Sequence, residues 1–298
     1  MRTCLVLEGG AMRGMYTAGV LDVLLKNNIQ VDCVIGVSAG ALFGVNYVSK
    51  QIGRSYRYVL KYLNNPNFMS VSSLIRTGNI MNKEFNFNKL INELDKFDFD
   101  TFDNSKTKFY SVVTNIETGK AEYIEIKDSR KDMEYLRASG SMPLVSKKVK
   151  INDNFYLDGA IGDSIPVKKA EELGYDKIIA VTTRTIDYRK KESKMFLLNK
   201  VYRKYPNFIN AYKNRYLNYN DTVEYIISQE NKGNILVIRP SKDLKVKRLE
   251  KNKDKINDLY NLGIEDTENK LKDIKRYLKS RKFTKIIKQL KKYWHIFW

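Results

Sequence analysis

The sequence feature that most constrains the fold is a Gly-x-Ser-x-Gly motif formed by Gly36, Ser38 and Gly40. An apolar, strand-like run that begins at Cys33 leads into it, and an apolar, helix-compatible stretch follows. Glycines on both sides of a serine remove the Cβ atoms that would clash in a sharp strand-to-helix turn. The motif therefore predicts that Ser38 projects from such an elbow, where the unpaired amides of the following helix favour negative charge.

The segment before the elbow has the pattern of an α/β fold. Residues 3–7 form a continuous apolar run, typical of a buried parallel strand, and lead into the glycine-rich stretch 9–14. The spacing of apolar residues predicts a helix over 15–26 and a second strand over 33–35. Because loops at the carboxyl ends of neighbouring parallel strands share one crevice, we expect the glycine-rich stretch to lie beside the elbow.

The rest of the chain continues this alternation and then changes in composition. Interrupted helical patterns over 54–94 stand where an α/β fold would carry a cap. Further strands are predicted over 108–114, 121–126 and 177–181, and extended segments near 148–151 and 154–157. From residue 184 onwards the pattern predicts mainly helices, one strand near 234–239, and a helix break near Gly263.

The positive charge of the chain is concentrated in this second part. Residues 1–180 carry 24 Lys and Arg against 21 Asp and Glu, whereas residues 181–298 carry 30 against 13. Over 281–298, bulky apolar residues recur every three or four positions and five lysines occupy the opposite face. This predicts an amphipathic helix, and two roles stay open for it: attachment to an anionic membrane surface or docking on its own domain.

Several features predict a cytoplasmic protein, with a peripheral position on the inner face of the membrane. Glu8 interrupts the first apolar run before it reaches the length of a secretory signal. The longest uncharged stretch, 33–49, is shorter than the roughly 20 residues that span a bilayer. Cys4 and Cys33 have no spacing suggestive of a disulfide framework or a metal site, so we expect no metal and no cofactor.

Ser38 needs a base to activate it, and the sequence offers a single histidine for that role, His295. The order Ser38, Asp158, His295 matches a hydrolase triad. However, His295 lies three residues from the end of the sequence among aromatic residues, and the elbow follows only the second strand. A two-residue site with Asp158 as the base is therefore favoured. Because a free aspartate is a weak base, such a site needs burial and strong stabilisation of the oxyanion.

The glycine-rich loop can supply that stabilisation. Consecutive amides at Gly9, Gly10 and Ala11, without large side chains, form a concavity that binds anions. Arg13 follows this loop and has two candidate roles. It either binds a lipid phosphate or anchors the loop by pairing with an acid such as Glu8, and the anchoring role is favoured.

Four motifs carry a resemblance to a known family: Gly-Gly-x-x-Arg-Gly over 9–14, Gly-x-Ser-x-Gly over 36–40, Ala138-Ser139 with Pro143, and Asp-Gly-Ala over 158–160. In this order and spacing the chain resembles the patatin-like phospholipases, in particular a cytoplasmic bacterial branch with a C-terminal extension. The resemblance covers residues 1–183 as a serine hydrolase domain and leaves 184–298 as a basic, mainly helical region. It implies an α/β fold built as a three-layer sandwich around a mainly parallel sheet.

The resemblance also implies a role for each motif. Ser38 would be the nucleophile, Asp158 the base, Gly36 and Gly40 the elbow glycines, and Gly9, Gly10 and Ala11 the oxyanion loop, flanked by Arg13. Ala11 is a departure, because the family usually has a third glycine at that position.

The expected function is that of a serine acyl hydrolase of the phospholipase A or lysophospholipase type. Its expected partners are a lipid substrate and an anionic membrane surface contacted through 281–298, with no nucleic acid. Two alternatives stay open. One is a membrane-surface binding protein with little or no catalysis, and the other is an acyltransferase, because both reactions share an acyl-enzyme.

Overall fold

The computed structural model of the chain describes residues 1–280, and one eight-stranded sheet organises them. The strands are β1 (Thr3–Leu7), β2 (Cys33–Val37), β3 (Lys108–Asn115), β4 (Ala121–Glu125), β5 (Val149–Ile151), β6 (Asn154–Asp158), β7 (Lys177–Val181) and β8 (Ile235–Ile238). Their order across the sheet is β5-β6-β3-β2-β1-β7-β8, and β4 pairs with β3.

The helices of the described residues lie between and after these strands. They are α1 (Met15–Lys26), α2 (Ala39–Val48), α3 (Arg54–Tyr62), α4 (Val71–Thr77), α5 (Phe99–Asp103), α6 (Met133–Ser139), α7 (Val167–Glu172), α8 (Phe196–Val201), α9 (Pro206–Asn231) and α10 (Lys253–Lys279). A π-helix spans Phe85–Leu94, and 3-10 turns span Ala11–Gly14 and Gly159–Ile161.

The sheet is mainly parallel and is covered on both faces. Strands β8, β7, β1, β2 and β3 run parallel, and every residue of β2 and β7 is buried. Complete burial explains why these strands are continuous apolar runs rather than alternating ones. Strands β4 and β6 pair antiparallel with β3, and β5 pairs antiparallel with β6. The predicted α/β class is therefore confirmed.

Successive side chains of β1 point into two separate cores. Leu5 and Leu7 belong to a core that includes residues of α1, α2 and α10. Cys4 and Val6 belong to another that includes residues of α7 and α9. Helices thus form a layer on each side of the sheet, and the predicted three-layer sandwich is confirmed.

The part of the chain after residue 184 joins this architecture directly, since β8 extends the sheet beside β7 and α10 packs along α1. The predicted helix break near Gly263 is wrong, because α10 continues through it. The glycine serves a close helix crossing instead. A Cβ at Gly263 would lie 2.2 Å from the Tyr16 carbonyl oxygen, and one at Gly19 would lie 2.2 Å from that of Tyr260. Only glycine lets the two backbones approach this closely.

Some predictions lie beyond what the structure tests. The amphipathic helix over 281–298 and His295 lie outside the described residues. The boundary at residue 183 stays a prediction. None of the helices described up to residue 280 combines the length and the apolar character needed to cross a bilayer.

Candidate active site

Ser38 lies at the turn between β2 and α2 in a strained backbone conformation. Its φ is 53° and its ψ is −120°, in a region that residues other than glycine rarely adopt. Holding such a residue costs on the order of 1–3 kcal/mol, so the surroundings must fix it. The Ser38 amide donates to Ser139 Oγ at 2.8 Å, and that hydroxyl donates to the Val112 carbonyl at 2.6 Å. This buried relay ties the elbow to α6 and to the centre of the sheet.

The two glycines of the motif are required by close contacts. A Cβ on Gly36 would lie 2.6 Å from Ala41 Cα, and one on Gly40 would lie 2.4 Å from the Leu7 carbonyl oxygen. Both distances are far below a van der Waals contact. The helix after the elbow can therefore cross tightly over the end of β1 only with glycine at these positions.

Asp158, the last residue of β6, is hydrogen-bonded to Ser38 although 120 residues separate them. Ser38 Oγ donates to Asp158 Oδ2 at 2.8 Å, and the Ala160 amide donates to Oδ1 at 2.9 Å. Thr114 Oγ1 donates to the Asp158 carbonyl at 2.8 Å and holds the turn from behind. Both carboxylate oxygens are therefore oriented, and the side chains of Ser38 and Asp158 are about 95% shielded, at 6% and 5% exposure.

The surroundings of Asp158 strengthen it as a base. Burial raises the pKa of this carboxyl above its usual range, and the nearby Arg215 guanidinium offsets part of that rise. Arg215 is held in place because its Nε donates to the Ala160 carbonyl at 2.6 Å. A carboxylate with a raised pKa accepts a hydroxyl proton more readily than a solvated one does.

The loop after β1 brings free amides next to Ser38. Within residues 1–280, the amides of Gly9, Gly10 and Ala11 donate to no protein acceptor. A Cβ on Gly9 would lie 3.0 Å from Ser38 Cβ, which shows how closely the loop approaches the serine. Ala11 has a φ of 50°, in the left-handed region that favours glycine, at a cost of roughly 1–2 kcal/mol. The loop therefore accommodates the Ala11 side chain with backbone strain.

Arg13 is placed differently from the favoured expectation. No ion pair joins it to Glu8 in the part of the chain that the structure describes; Glu8 instead accepts from the Thr183 amide at 2.5 Å and from its hydroxyl at 3.1 Å. Arg13 Nε is buried without a hydrogen-bond partner. Burial, together with repulsion from Arg184 and Arg248, lowers the pKa of Arg13 to about 10, and attraction by Glu8 offsets only part of that fall. Arg13 therefore belongs to a group of crowded cations rather than to a salt bridge with Glu8.

A first cavity, the apolar cavity, opens on one side of Ser38. It has an empty volume of about 920 Å³, part of which is open to solvent. Its wall includes Met12, Leu42, Phe43, Tyr58, Val59, Phe68, Met69, Met81, Phe87, Leu90, Ile91, Phe97, Met133, Leu136 and Met142. Among the described residues of this wall the one cation is Arg54, which pairs with Asp95, with Nε 3.3 Å from Oδ1. The cavity therefore suits an uncharged hydrocarbon chain.

A second cavity, the cationic cavity, opens on the other side of Ser38 with an empty volume of about 1060 Å³, also partly open to solvent. Its charged and aromatic lining is Glu8, Arg13, Asp158, Arg184, Tyr188, Lys190, Tyr212, Arg215, Tyr219 and Arg248. Ser38, Ala11 and Met142 line both cavities, so the serine stands where they meet.

Sequence reasoning missed four of these cations, Arg184, Lys190, Arg215 and Arg248. No motif joins them, and the excess of positive charge after residue 181 was the only signal. They converge on the cavity because α9 and the loops after β7 and β8 all reach the same end of the sheet.

These features together suit acyl transfer. A serine hydroxyl hydrogen-bonded to a carboxylate lies beside free backbone amides, the arrangement that a nucleophile, a base and an oxyanion site require. The apolar cavity can take an acyl chain, and the cationic cavity can take the group to which the chain is esterified.

Comparison with known families and proteins agrees with this chemistry. Residues 5–170 match the family model described as patatin-like phospholipase, and residues 205–279 match a domain of unknown function, DUF6363. The uncharacterized protein YjjU of Escherichia coli is 28% identical over 188 residues, which cover 61% of this chain and 52% of YjjU. The chain thus matches about half the length of that relative.

Other relatives carry names that refer to lipids. The probable lipid hydrolase 463L of Invertebrate iridescent virus 6 is 29% identical over 210 residues, or 62% of this chain and 71% of 463L. Lysophospholipase nte1 of Emericella nidulans is 31% identical over 199 residues, or 61% of this chain and 12% of nte1. Among solved structures, VipD from Legionella pneumophila aligns with a TM-score of 0.44 and 14% identity, covering 91% of this chain and 67% of VipD.

Proposed function

Because the chain belongs to the patatin-like phospholipase family, we propose that it is a serine acyl hydrolase that cleaves fatty-acyl esters of phospholipids or lysophospholipids. The observation that carries this proposal is the 2.8 Å hydrogen bond from Ser38 Oγ to Asp158 Oδ2 at the junction of the two cavities. A hydroxyl and a carboxylate that were merely structural would not need free backbone amides and an apolar cavity beside them.

In the first half of the reaction, Asp158 takes the proton of Ser38 as Oγ bonds to the ester carbonyl carbon. The carbonyl oxygen becomes an oxyanion, which the amides of Gly9, Gly10 and Ala11 stabilise; each such donor contributes about 3 kcal/mol in comparable sites. The bond to the alcohol oxygen then breaks, and Asp158 returns the proton to the leaving alcohol. The acyl group stays on Ser38 as an ester.

In the second half, water takes the place of the alcohol. Asp158 accepts a proton from the water as its oxygen bonds to the acyl carbon, and a second oxyanion forms at the same amides. The bond to Ser38 Oγ breaks, and the proton passes to Oγ. A fatty acid leaves through the apolar cavity, and the hydrogen bond between Ser38 and Asp158 is restored.

Hydrolysis of p-nitrophenyl butyrate tests the two roles. We expect Ser38→Ala to lower kcat/KM at least about a thousandfold and Asp158→Asn about a hundredfold or more, the range for losing a nucleophile or its base. Matched controls are Ser72→Ala on the exposed side of α4 and Asp153→Asn in the exposed turn before β6. A fluorophosphonate should label Ser38 in both controls. Full activity in Ser38→Ala or in Asp158→Asn would refute the two-residue mechanism.

The triad alternative has its own test. Removing residues 281–298 deletes His295 and keeps every described residue that lines the two cavities. The two-residue mechanism requires that the shortened protein still hydrolyse the soluble ester at the parent rate. Loss of that activity, with an unchanged midpoint of thermal unfolding, would establish that the C-terminal segment supplies the base.

We further propose that the protein acts at an anionic membrane surface. Support comes from α8, where Phe196, Leu197 and Val201 are 84%, 53% and 55% exposed. Exposed lysines and arginines surround them in sequence, at positions 194, 200, 203 and 204. Apolar side chains among cations suit the interface of an anionic bilayer. The helix is also tied to the cationic cavity, because the Leu144 amide donates to Tyr202 OH at 3.4 Å.

A further inference from the structure

The cationic cavity holds more positive charge than its own acids can balance. Five cationic side chains line it, Arg13, Arg184, Lys190, Arg215 and Arg248, against the two carboxylates Glu8 and Asp158. Among residues 1–280, no ion pair joins any of the five to a carboxylate. Crowded cations repel one another, and a cleft lined by charges of one sign concentrates ligands of the opposite sign.

The two carboxylates are committed to other partners. Glu8 accepts from the Thr183 amide at 2.5 Å and from Tyr219 OH at 3.0 Å. Asp158 accepts from Ser38 and from the Ala160 amide. By contrast, the buried Nε atoms of Arg13 and Arg184 have no hydrogen-bond partner. Unsatisfied guanidinium donors beside an open cavity are suited to the oxygen atoms of a phosphate, which guanidinium groups bind through two parallel hydrogen bonds.

The crowding also affects the lysine of the group. Burial and repulsion from Arg215, Arg248 and Arg13 lower the pKa of Lys190 to about 6, and attraction by Glu8 offsets only part of that fall. Without an anion in the cavity, one member of the cluster therefore tends to lose its proton at neutral pH. A bound anion would reverse this by favouring the charged ammonium.

Two of the three tyrosines that line the cavity, Tyr188 and Tyr219, argue against a quaternary ammonium group as its ligand. Choline is recognised by the open faces of aromatic rings. Here the Arg184 guanidinium lies 4.3 Å from the centre of the Tyr188 ring, and Lys190 Nζ lies 4.0 Å from that of Tyr219. Side chains of the protein therefore already cover these two faces. A choline group would meet occupied rings and positive charge.

We propose that the cationic cavity is the head-group site, and that the preferred substrates are acyl esters whose alcohol carries a phosphate and no quaternary ammonium. Lysophosphatidate and phosphatidylglycerol belong to this class, and phosphatidylcholine does not. The inference rests on the proposed function, since it assumes that the ester carbonyl is attacked at Ser38, between the two cavities. The inference goes beyond that function because it assigns a role in substrate selection to four basic residues after residue 183: Arg184, Lys190, Arg215 and Arg248.

Substrate preference is tested with lysolipids that share one acyl chain and differ in head group, presented below their micellar concentrations. The measurement is the ratio of kcat/KM for lysophosphatidate to that for lysophosphatidylcholine. We expect a ratio of at least about ten in the parent protein and a fall of roughly tenfold in Arg248→Gln and in Arg184→Gln, the effect of losing one charge-assisted hydrogen bond.

The matched control for these variants is Lys247→Gln. Lys247 is exposed, adjoins Arg248 and lines neither cavity, so its loss changes the net charge equally. A parent ratio near one, or an equal fall in Lys247→Gln, would overturn the assignment. If the ratio holds in Lys247→Gln and falls only in the cavity variants, local contacts rather than surface charge select the head group.

A binding measurement separates this inference from the proposed function. Titration calorimetry on Ser38→Ala compares a short-chain lysophosphatidate with inorganic phosphate, with and without Arg248→Gln. Tighter binding of the lipid, lost on substitution, supports the head-group site even if no ester is hydrolysed. Equal binding of inorganic phosphate identifies a site for free phosphate and overturns the lipid assignment. Hydrolysis without any preference or phosphate binding would leave the acyl hydrolase standing and refute only the head-group site.

Discussion

Lys190 offers a test of the charge crowding that needs no ligand. An ordinary lysine has a pKa near 10.5, whereas burial and the neighbouring Arg215, Arg248 and Arg13 lower that of Lys190 to about 6. At pH 7.5 the side chain is therefore mostly neutral in the folded protein and charged in the unfolded chain. Keeping it folded without its proton costs free energy, so Lys190→Met should stabilise the protein at that pH.

The increase in the free energy of unfolding that Lys190→Met causes depends on pH and can be calculated. Each pH unit corresponds to about 1.36 kcal/mol. The three units between pH 7.5 and the pKa of 10.5 in the unfolded chain therefore give an upper value of about 4 kcal/mol for the stabilisation by Lys190→Met at pH 7.5. At pH 9.5 the same reasoning leaves only about 1 kcal/mol of stabilisation. The unfolded chain binds more protons than the folded one between pH 6 and 10.5. The parent is therefore stabilised as pH rises through that window, and the advantage of Lys190→Met shrinks.

Urea denaturation followed by circular dichroism at 222 nm, at pH 7.5 and 9.5, measures the difference directly. The control is Lys213→Met, an exposed position on α9, which should change the free energy of unfolding by less than about 0.5 kcal/mol at either pH. A gain for Lys190→Met that is the same at both pH values would refute the reasoning, as would a loss of stability at pH 7.5.

Three further results are expected. Arg215→Gln removes a cation that lowers the pKa of Asp158, so the acid limb of the kcat/KM profile for p-nitrophenyl butyrate should move to higher pH; an unmoved limb would separate Arg215 from the base. Gly263→Ala should destabilise the protein to urea by about 1–3 kcal/mol, because overlap with the Tyr16 carbonyl outweighs the roughly 1 kcal/mol gain in helix propensity; net stabilisation would contradict the close crossing. Phe196→Ser should weaken binding to phosphatidylglycerol vesicles about tenfold in flotation assays, whereas unchanged binding would exclude α8 from the interface.

Much of the fold was predictable because its signals are local. A buried parallel strand must be a continuous apolar run, so β1, β2 and β7 could be recognised without knowing their partners. Gly263 shows the limit of such reasoning. A glycine inside a helical pattern indicates a break when only neighbours in sequence are considered, but here it lies in a crossing with Tyr16 on a helix more than 240 residues earlier.

The candidate site, like the fold, was predictable from the sequence only in part. Ser38 and Asp158 could be selected from the sequence, because a sharp turn needs glycines beside it and the chain has no well-placed histidine. The hydrogen bond between them, which spans 120 residues, is a property of the folded sheet. The sequence could not show that Arg13 forms no ion pair with Glu8 within the described residues, since Glu8 is close along the chain yet accepts hydrogen bonds from Thr183.

The sequence by itself determined the sheet, the elbow and the reactive groups, because glycine spacing and apolar runs act within a few residues of one another. Only the tertiary structure decided what surrounds those groups. Arg184, Lys190, Arg215 and Arg248 come from separate loops and from α9, and no spacing links them until the sheet brings its loops to one end. Charge acts through space rather than along the chain, so the environment that selects a substrate becomes visible only in the folded protein.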